Sequence, residues 1–186
     1  MAWRISVEPA VEPWTVSEVK NYLKVDTSAD DTLITALITS SRHIAESYLN
    51  MALISQTIVE RLDFLNKPII YLSVSPVISF GNFRYYDNSN NLVTFSSDNY
   101  KVDTYAKPCR LALAFGKSWP TLYGNIDDVV LTYTAGFSTE PSGIPPQIRQ
   151  AILMMIADTY DNREDYVKKM PTASQYLLDQ YRVQYF

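Results

Sequence analysis

Cysteine and histidine are almost missing from this chain. Cys109 and His43 are the sole examples in 186 residues. No intramolecular disulfide can form, and the Cys/His sets of structural zinc sites cannot be assembled. Glycine is scarce too. Five glycines, at 81, 116, 124, 136 and 143, are too scattered to write GxGxxG or GxxxxGK(S/T), which excludes the usual phosphate cradles. No run approaches the roughly 20 apolar residues of a membrane span. Met1-Ala2-Trp3-Arg4-Ile5-Ser6 lacks the apolar core of a secretory signal, so the expectation is synthesis in the cytoplasm with no membrane partner. Basic excess is absent as well. The formal net charge is −4, whereas proteins that bind nucleic acid freely carry Lys and Arg in surplus for phosphate contacts.

The residues that could carry catalysis do not converge. His43 lies between Arg42 and Ile44 on a predicted helix, with no serine or cysteine placed beside it, so a Ser/His/Asp site has no support. Cys109, after Pro108 at a strand start, reads as a buried structural thiol; Arg110 alone is weak activation. Asp30-Asp31 and Asp127-Asp128 are acidic pairs without calcium-loop spacing. The first fits a helix start and the second a solvated turn. Lys168-Lys169 reads as a solvated helix end. No catalytic residue, cofactor or metal ligand is assigned. A metal-dependent nuclease, the enzymatic rival, would need clustered carboxylates, and weight shifts toward binding or assembly.

What the chain does have is apolar residues, 47% of the total, and 14 tyrosines. Tyrosine buries a large ring while keeping a polar tip, which suits surfaces covered by partners as well as strands. Residues 1–14, with Pro9 and Pro13, read as an extended arm anchored by Trp3 and Trp14. Thr15-Val16-Ser17-Glu18 is a capping box, and Val16, Val19, Tyr22 and Leu23 follow at helical spacing to about Lys24. Ser28-Ala29-Asp30-Asp31 is a second helix start. Behind it, Leu33, Leu37, Ile44 and Tyr48 run alongside Ile34, Ile38, Ala45 and Leu49, so the spacing predicts one broad apolar face on a helix over 29–49.

After Asn50 the apolar residues become β-branched or aromatic, in short runs between turn residues. Strands are predicted at Thr57–Asp63, Ile69–Leu72, Ile78–Tyr86, Leu92–Phe95, Tyr100–Asp103, Arg110–Ala114 and Val129–Thr134, with Asp87–Asn91 a turn. Pro145-Pro146 opens another helix, whose face is Ile148, Ala151, Ile152, Met155, Ile156 and Tyr160, running to about Arg163. Thr172-Ala173-Ser174-Gln175 can cap a last short helix. The fold class is therefore α+β: a helical bundle from 15–53 and 138–165, a small antiparallel β-sheet insertion over 54–137, an arm at 1–14, and a C-terminal helix and tail at 166–186. Leu33, Leu37, Ile44, Tyr48, Ile148, Ile152, Met155 and Tyr160 are assigned to the bundle core or to packing between subunits.

Three ordered blocks carry a resemblance. The first runs from Val16-Ser17-Glu18-Val19 to Asp26, with Asp30-Asp31-Thr32-Leu33-Ile34, Ala45-Glu46-Ser47-Tyr48 and Gln56-Thr57. The second is Ser75-Pro76-Val77-Ile78-Ser79 with Tyr85-Tyr86-Asp87 and Tyr100-Lys101-Val102-Asp103. The third is Tyr133-Thr134-Ala135-Gly136-Phe137, Ile144-Pro145-Pro146-Gln147-Ile148 and Tyr160-Asp161-Asn162-Arg163-Glu164. Across about 15–165 the chain resembles the phage head–tail connector (adaptor) family, the gp6-like and gp8-like proteins of long-tailed phages and gene transfer agents. The resemblance implies a virion protein of the neck, made in the host bacterium. It implies a ring, usually of twelve subunits, between the portal protein and a stopper or tail-completion protein. Double-stranded DNA would pass through its channel without sequence-specific binding. The alternative is a stopper or tail-completion protein one layer further from the capsid. The resemblance also places the C-terminal segment on the portal, which points to Tyr176, Tyr181, Arg182, Tyr185 and Phe186, aromatics and an arginine suited to interface anchors. A ring at −4 per copy would be strongly acidic, a charge that avoids holding phosphates in a conduit.

Overall fold

Thr15 caps the first helix, α1 (Val16–Leu23), by the reciprocal box its sequence promises. Its hydroxyl accepts from the Glu18 amide, and the Glu18 carboxylate accepts from the Thr15 amide at 2.8 Å. The chain leaves α1 through Lys24 in the left-handed region and enters α2 (Asp31–Leu49). In this computed structural model residues 2–162 and 170–183 are described. α3 (Pro146–Asp161) begins with the expected proline at its first turn, and α4 (Thr172–Asp179) packs on α3 and α2. The expected end of α3 near Arg163, and Lys168-Lys169, lie outside the described residues.

The four helices share one core: Val19 from α1; Ile34, Ile38, Ala45 and Leu49 from α2; Ile148, Ile152, Met155 and Ile156 from α3; Leu178 from α4. The spacing of these positions is the helical one, and it selects a narrower stripe than the sequence suggested. Of the two rows on α2, the Ile34–Ile38–Ala45–Leu49 row is buried. Leu37 and Tyr48 pack on its flank, while Leu33 and Ile44 are exposed, Ile44 by 52%.

A second core belongs to two antiparallel sheets. The larger has the order β1-β2-β8-β4-β5 and the smaller β3-β7-β6. The strands are β1 (Ala2–Val7), β2 (Gln56–Leu62), β3 (Ile69–Tyr71), β4 (Val77–Tyr86), β5 (Leu92–Thr94), β6 (Tyr100–Asp103), β7 (Arg110–Leu113) and β8 (Val129–Ala135). Alternation fixes what faces inward. Ile58 lies opposite Tyr133, Glu60 opposite Leu131 and Leu62 opposite Val129, and this row shares a core with Ile70 and Leu111 of the smaller sheet and with Leu72 just after β3. Phe83, Phe95, Tyr100 and Trp119 close one side, with ring centroids 5.0–6.1 Å apart.

Four expectations need correction. The arm at 1–14 is extended, but Ala2–Val7 is an edge strand of the larger sheet, paired with β2 from Ala2 opposite Arg61 to Val7 opposite Thr57. The β unit thus draws a strand from outside 54–137. Asp30 stands at the N-cap of α2 without a side-chain cap bond, because its carboxylate accepts the Tyr160 hydroxyl at 2.6 Å, tying the start of α2 to the end of α3. The N-cap of α4 is Pro171, again without a side-chain cap; Ser174 is buried and its hydroxyl donates to the Ala151 carbonyl instead. Asp128 is not solvated: it is 1% exposed, and its carboxylate accepts the amides of Gly124 and Asn125, which folds the turn ahead of β8.

Candidate interaction surfaces

The polar residues that might have formed a reactive centre are spent on structure. Burial pushes the Cys109 thiol up to about 11, with Asp103 and Glu60 adding to the effect, so it is no nucleophile near neutral pH. His43 is exposed on α2, its Nε2 3.4 Å from Arg42 Nη2. Asp31 pairs with Lys20 at 2.7 Å, and Asp127 lies 3.7 Å from Arg61. Among the described residues no three His, Cys, Asp or Glu side chains are grouped to hold a metal ion.

The outer side of α2 is unusual for a helix facing solvent. Its exposed residues are Thr32, Leu33, Thr35, Ala36, Ser40, His43, Ile44 and Ser47. The helix has three residues of the Asp, Glu, Lys and Arg types, and each is paired within its own protein: Asp31 with Lys20, Glu46 with Arg42, and Arg42 also with Glu12 of the arm. Leu33 and Ile44, eleven residues or about three turns apart, fall on one stripe. A 19-residue helix therefore shows the outside a face about 28 Å long that carries hydroxyls, methyls and one imidazole.

Behind that face lies a buried charge cluster. Arg42 is 2% exposed. Its Nε donates to Glu12 at 2.8 Å and its Nη1 to Glu46 at 2.8 Å. Glu46 Oε1 also accepts the Leu53 amide at 2.9 Å, and Glu12 accepts the Thr39 hydroxyl at 2.9 Å. Burial raises the Glu46 carboxyl, against the Leu53 amide and Arg42, which lower it. For Arg42 burial works against the charge, and Glu12 and Glu46 outweigh it, so its affinity for its proton rises. The arm is held further along by Trp14, whose indole donates to the Arg149 carbonyl at 2.9 Å beneath the Arg149 guanidinium, 3.9 Å from the ring centre. No sequence signal marked Glu12 as a partner for Arg42, since the pair is thirty residues apart with no shared motif.

The C-terminal candidates divide. Tyr176 is 70% exposed on α4. Tyr181 donates to Gln147 at 3.0 Å, and Arg182 stacks over Tyr48, 4.9 Å from its centre, so both also serve their own bundle. Tyr185 and Phe186 lie outside the described residues. Of the core candidates, Ile148, Ile152 and Met155 are buried and Tyr160 packs beside them. The β unit also exposes apolar side chains that the sequence reading did not assign to a surface: Phe64, Leu92, Phe115 and Ile126. Phe64 lies between β2 and β3, Leu92 opens β5, and Phe115 and Ile126 lie between β7 and β8.

Comparison with known proteins agrees with this architecture. The whole chain overlays a protein from the neck of an empty gene transfer agent particle solved with C6 symmetry, with TM-score 0.84, 20% identity and 97% of that chain covered. A chain from the virion of the native gene transfer agent gives the same figures. One from the native neck with C12 symmetry gives TM-score 0.76 and 21% identity, again over 100% of this chain and 97% of that one. No curated protein matches the sequence. Residues 14–106, which span α1, α2 and β2 to β6, match the family described as phage gp6-like head-tail connector protein. The capping box, the long helix and strands β2 to β6 thus lie within the matched span, and the chain belongs to the phage gp6-like head-tail connector family.

Proposed function

We propose that the chain is a structural, non-catalytic component of the neck of a phage or gene transfer agent particle, and that it works as one subunit of a ring. The observation that carries the reading is the uncharged outer face of α2. Closed rings need one face of a subunit to meet a different face of its neighbour, and interface centres are depleted of charged residues. A helix that ties its Asp, Glu and Arg side chains to its own protein while exposing Leu33 and Ile44 has the chemistry of a face covered in the assembly. The resemblance of the fold to neck proteins from C6 and C12 reconstructions supports a ring and suggests twelve copies.

In this reading the ring sits between the portal protein and a stopper or tail-completion protein, and double-stranded DNA passes its channel without sequence-specific contact. Tyr176, Tyr181, Arg182, Tyr185 and Phe186 are the proposed portal contacts. Replacing Leu33 and Ile44 together by Asp tests the interface. Particles assembled with the variant are expected to lack the neck ring while the purified chain keeps its melting temperature. A complete ring built from the double variant would refute the α2 contact. Failure of the wild-type chain to bind portal protein in a pull-down would move it one layer toward the tail.

A further inference from the structure

A groove of about 540 Å³ opens along the side of the β unit, within the size range of sites that enclose small organic groups. Its walls are Trp3 of β1, Phe64 and Leu65 of the β2–β3 connection, and Tyr71 of β3, with Asn50 among its lining. Trp3, Phe64 and Tyr71 are 50%, 62% and 46% exposed. β1 and β3 are each the outermost strand of their sheets, and such edges hold unpaired backbone groups that can bind an extended segment.

The described chain ends beside this groove. The Val183 amide donates to the Leu49 carbonyl at 3.1 Å, and its carbonyl accepts from Asn50 Nδ2 at 3.3 Å. Asn50 is thus both the anchor of Val183 and a groove-lining residue. The next residues are Gln184-Tyr185-Phe186, two of them aromatic and none with a charged side chain. Three extended residues reach about 10 Å. Aromatic side chains are the natural occupants of a half-bare aromatic wall, and a tether this short supplies them at a local concentration no separate partner matches.

We propose that the groove is a docking slot for the chain's own Gln184-Tyr185-Phe186 segment. The proposal stands without the ring reading. One consequence rests on that reading: Tyr185 and Phe186 cannot occupy the groove and a portal surface together, so docking in the groove withholds them until assembly. A nitroxide attached to Gln184→Cys in the full chain tests it, since buried Cys109 stays unlabelled. The Trp3 indole signal and the amide signals of Phe64 to Tyr71 should lose intensity, and should recover when Tyr185→Ser and Phe186→Ser are added. Loss confined to the surroundings of Val183, or loss that survives both serines, overturns the proposal. So does loss of signal in an isotope-labelled chain when the nitroxide is carried only by a second, unlabelled copy, because the occupant would then come from a neighbour.

Discussion

In the helical bundle the buried carboxylate of Glu46 meets a guanidinium, whereas in the β unit the more deeply buried Glu60 meets neutral donors. Glu60 is 0% exposed. It accepts the Ser73 amide at 3.0 Å, the Ser73 hydroxyl at 2.7 Å and the Tyr133 hydroxyl at 2.8 Å, and among the described residues it has no ion pair. The bundle cluster joins the arm, α2 and the segment leading to β2. The Glu60 cluster joins β2, β8 and the segment after β3. Each sits where separate stretches of chain must be held in register. The difference lies in how each can fail. A charge held by one buried countercharge is left uncompensated by a single deletion, while a charge held by several dipoles loses them one at a time.

The largest effect is therefore expected at Arg42. Arg42→Ala leaves Glu46 without its countercharge and should cost about 3–5 kcal/mol in urea unfolding. Replacing Arg42 by Met and both Glu12 and Glu46 by Gln should cost clearly less, and equal losses would contradict the charge argument. Tyr133→Phe removes one donor from Glu60 and the acceptor of the Val74 amide, at roughly 1–3 kcal/mol. Trp119, which packs on the β core, should report the loss more strongly than Trp14 if the two cores respond separately.

Smaller effects separate two carboxylates by pH. The backbone and side chain of Thr15 hold Glu18 below its ordinary 4.5, so its contribution to stability is present above 4.5 and lost as pH falls through the lowered value. Burial raises Glu46 above 4.5, so its contribution is full below 4.5 and is withdrawn as pH rises through the raised value. Subtracting the stability curve of Glu18→Gln from wild type should show a loss on the acid side, and the Glu46→Gln difference a loss on the alkaline side. Thr15→Ala, at about 0.5–2 kcal/mol, should shrink the Glu18 difference as well. Parallel difference curves would dissolve the distinction.

Most of the secondary structure could be read directly, because helical spacing, β-branched runs and turn residues are local signals. Seven strands fall within a residue or two of their expected limits. β1 escaped because its identity is non-local. Ala2–Val7 has no strong alternation, and only β2, more than fifty residues away, makes it a strand. The side-chain partners escaped for the same reason: Glu12 with Arg42, Glu60 with Tyr133, and Asp30 with Tyr160 instead of its own helix amides. Leu33 and Ile44 were recognised as apolar, but periodicity cannot divide a wide apolar face into a part that meets the molecule's own core and a part that does not. For Leu33 and Ile44 the sequence leaves bundle core and packing between subunits both open, and their exposure is what favours the second as a proposal.

The most direct test of a ring built through α2 is a reconstruction of a neck that contains this chain. Twelve-fold density with Leu33 and Ile44 buried against the adjacent copy is the predicted result. A ring in which the outer side of α2 faces open solvent, with copies joined elsewhere, would contradict it.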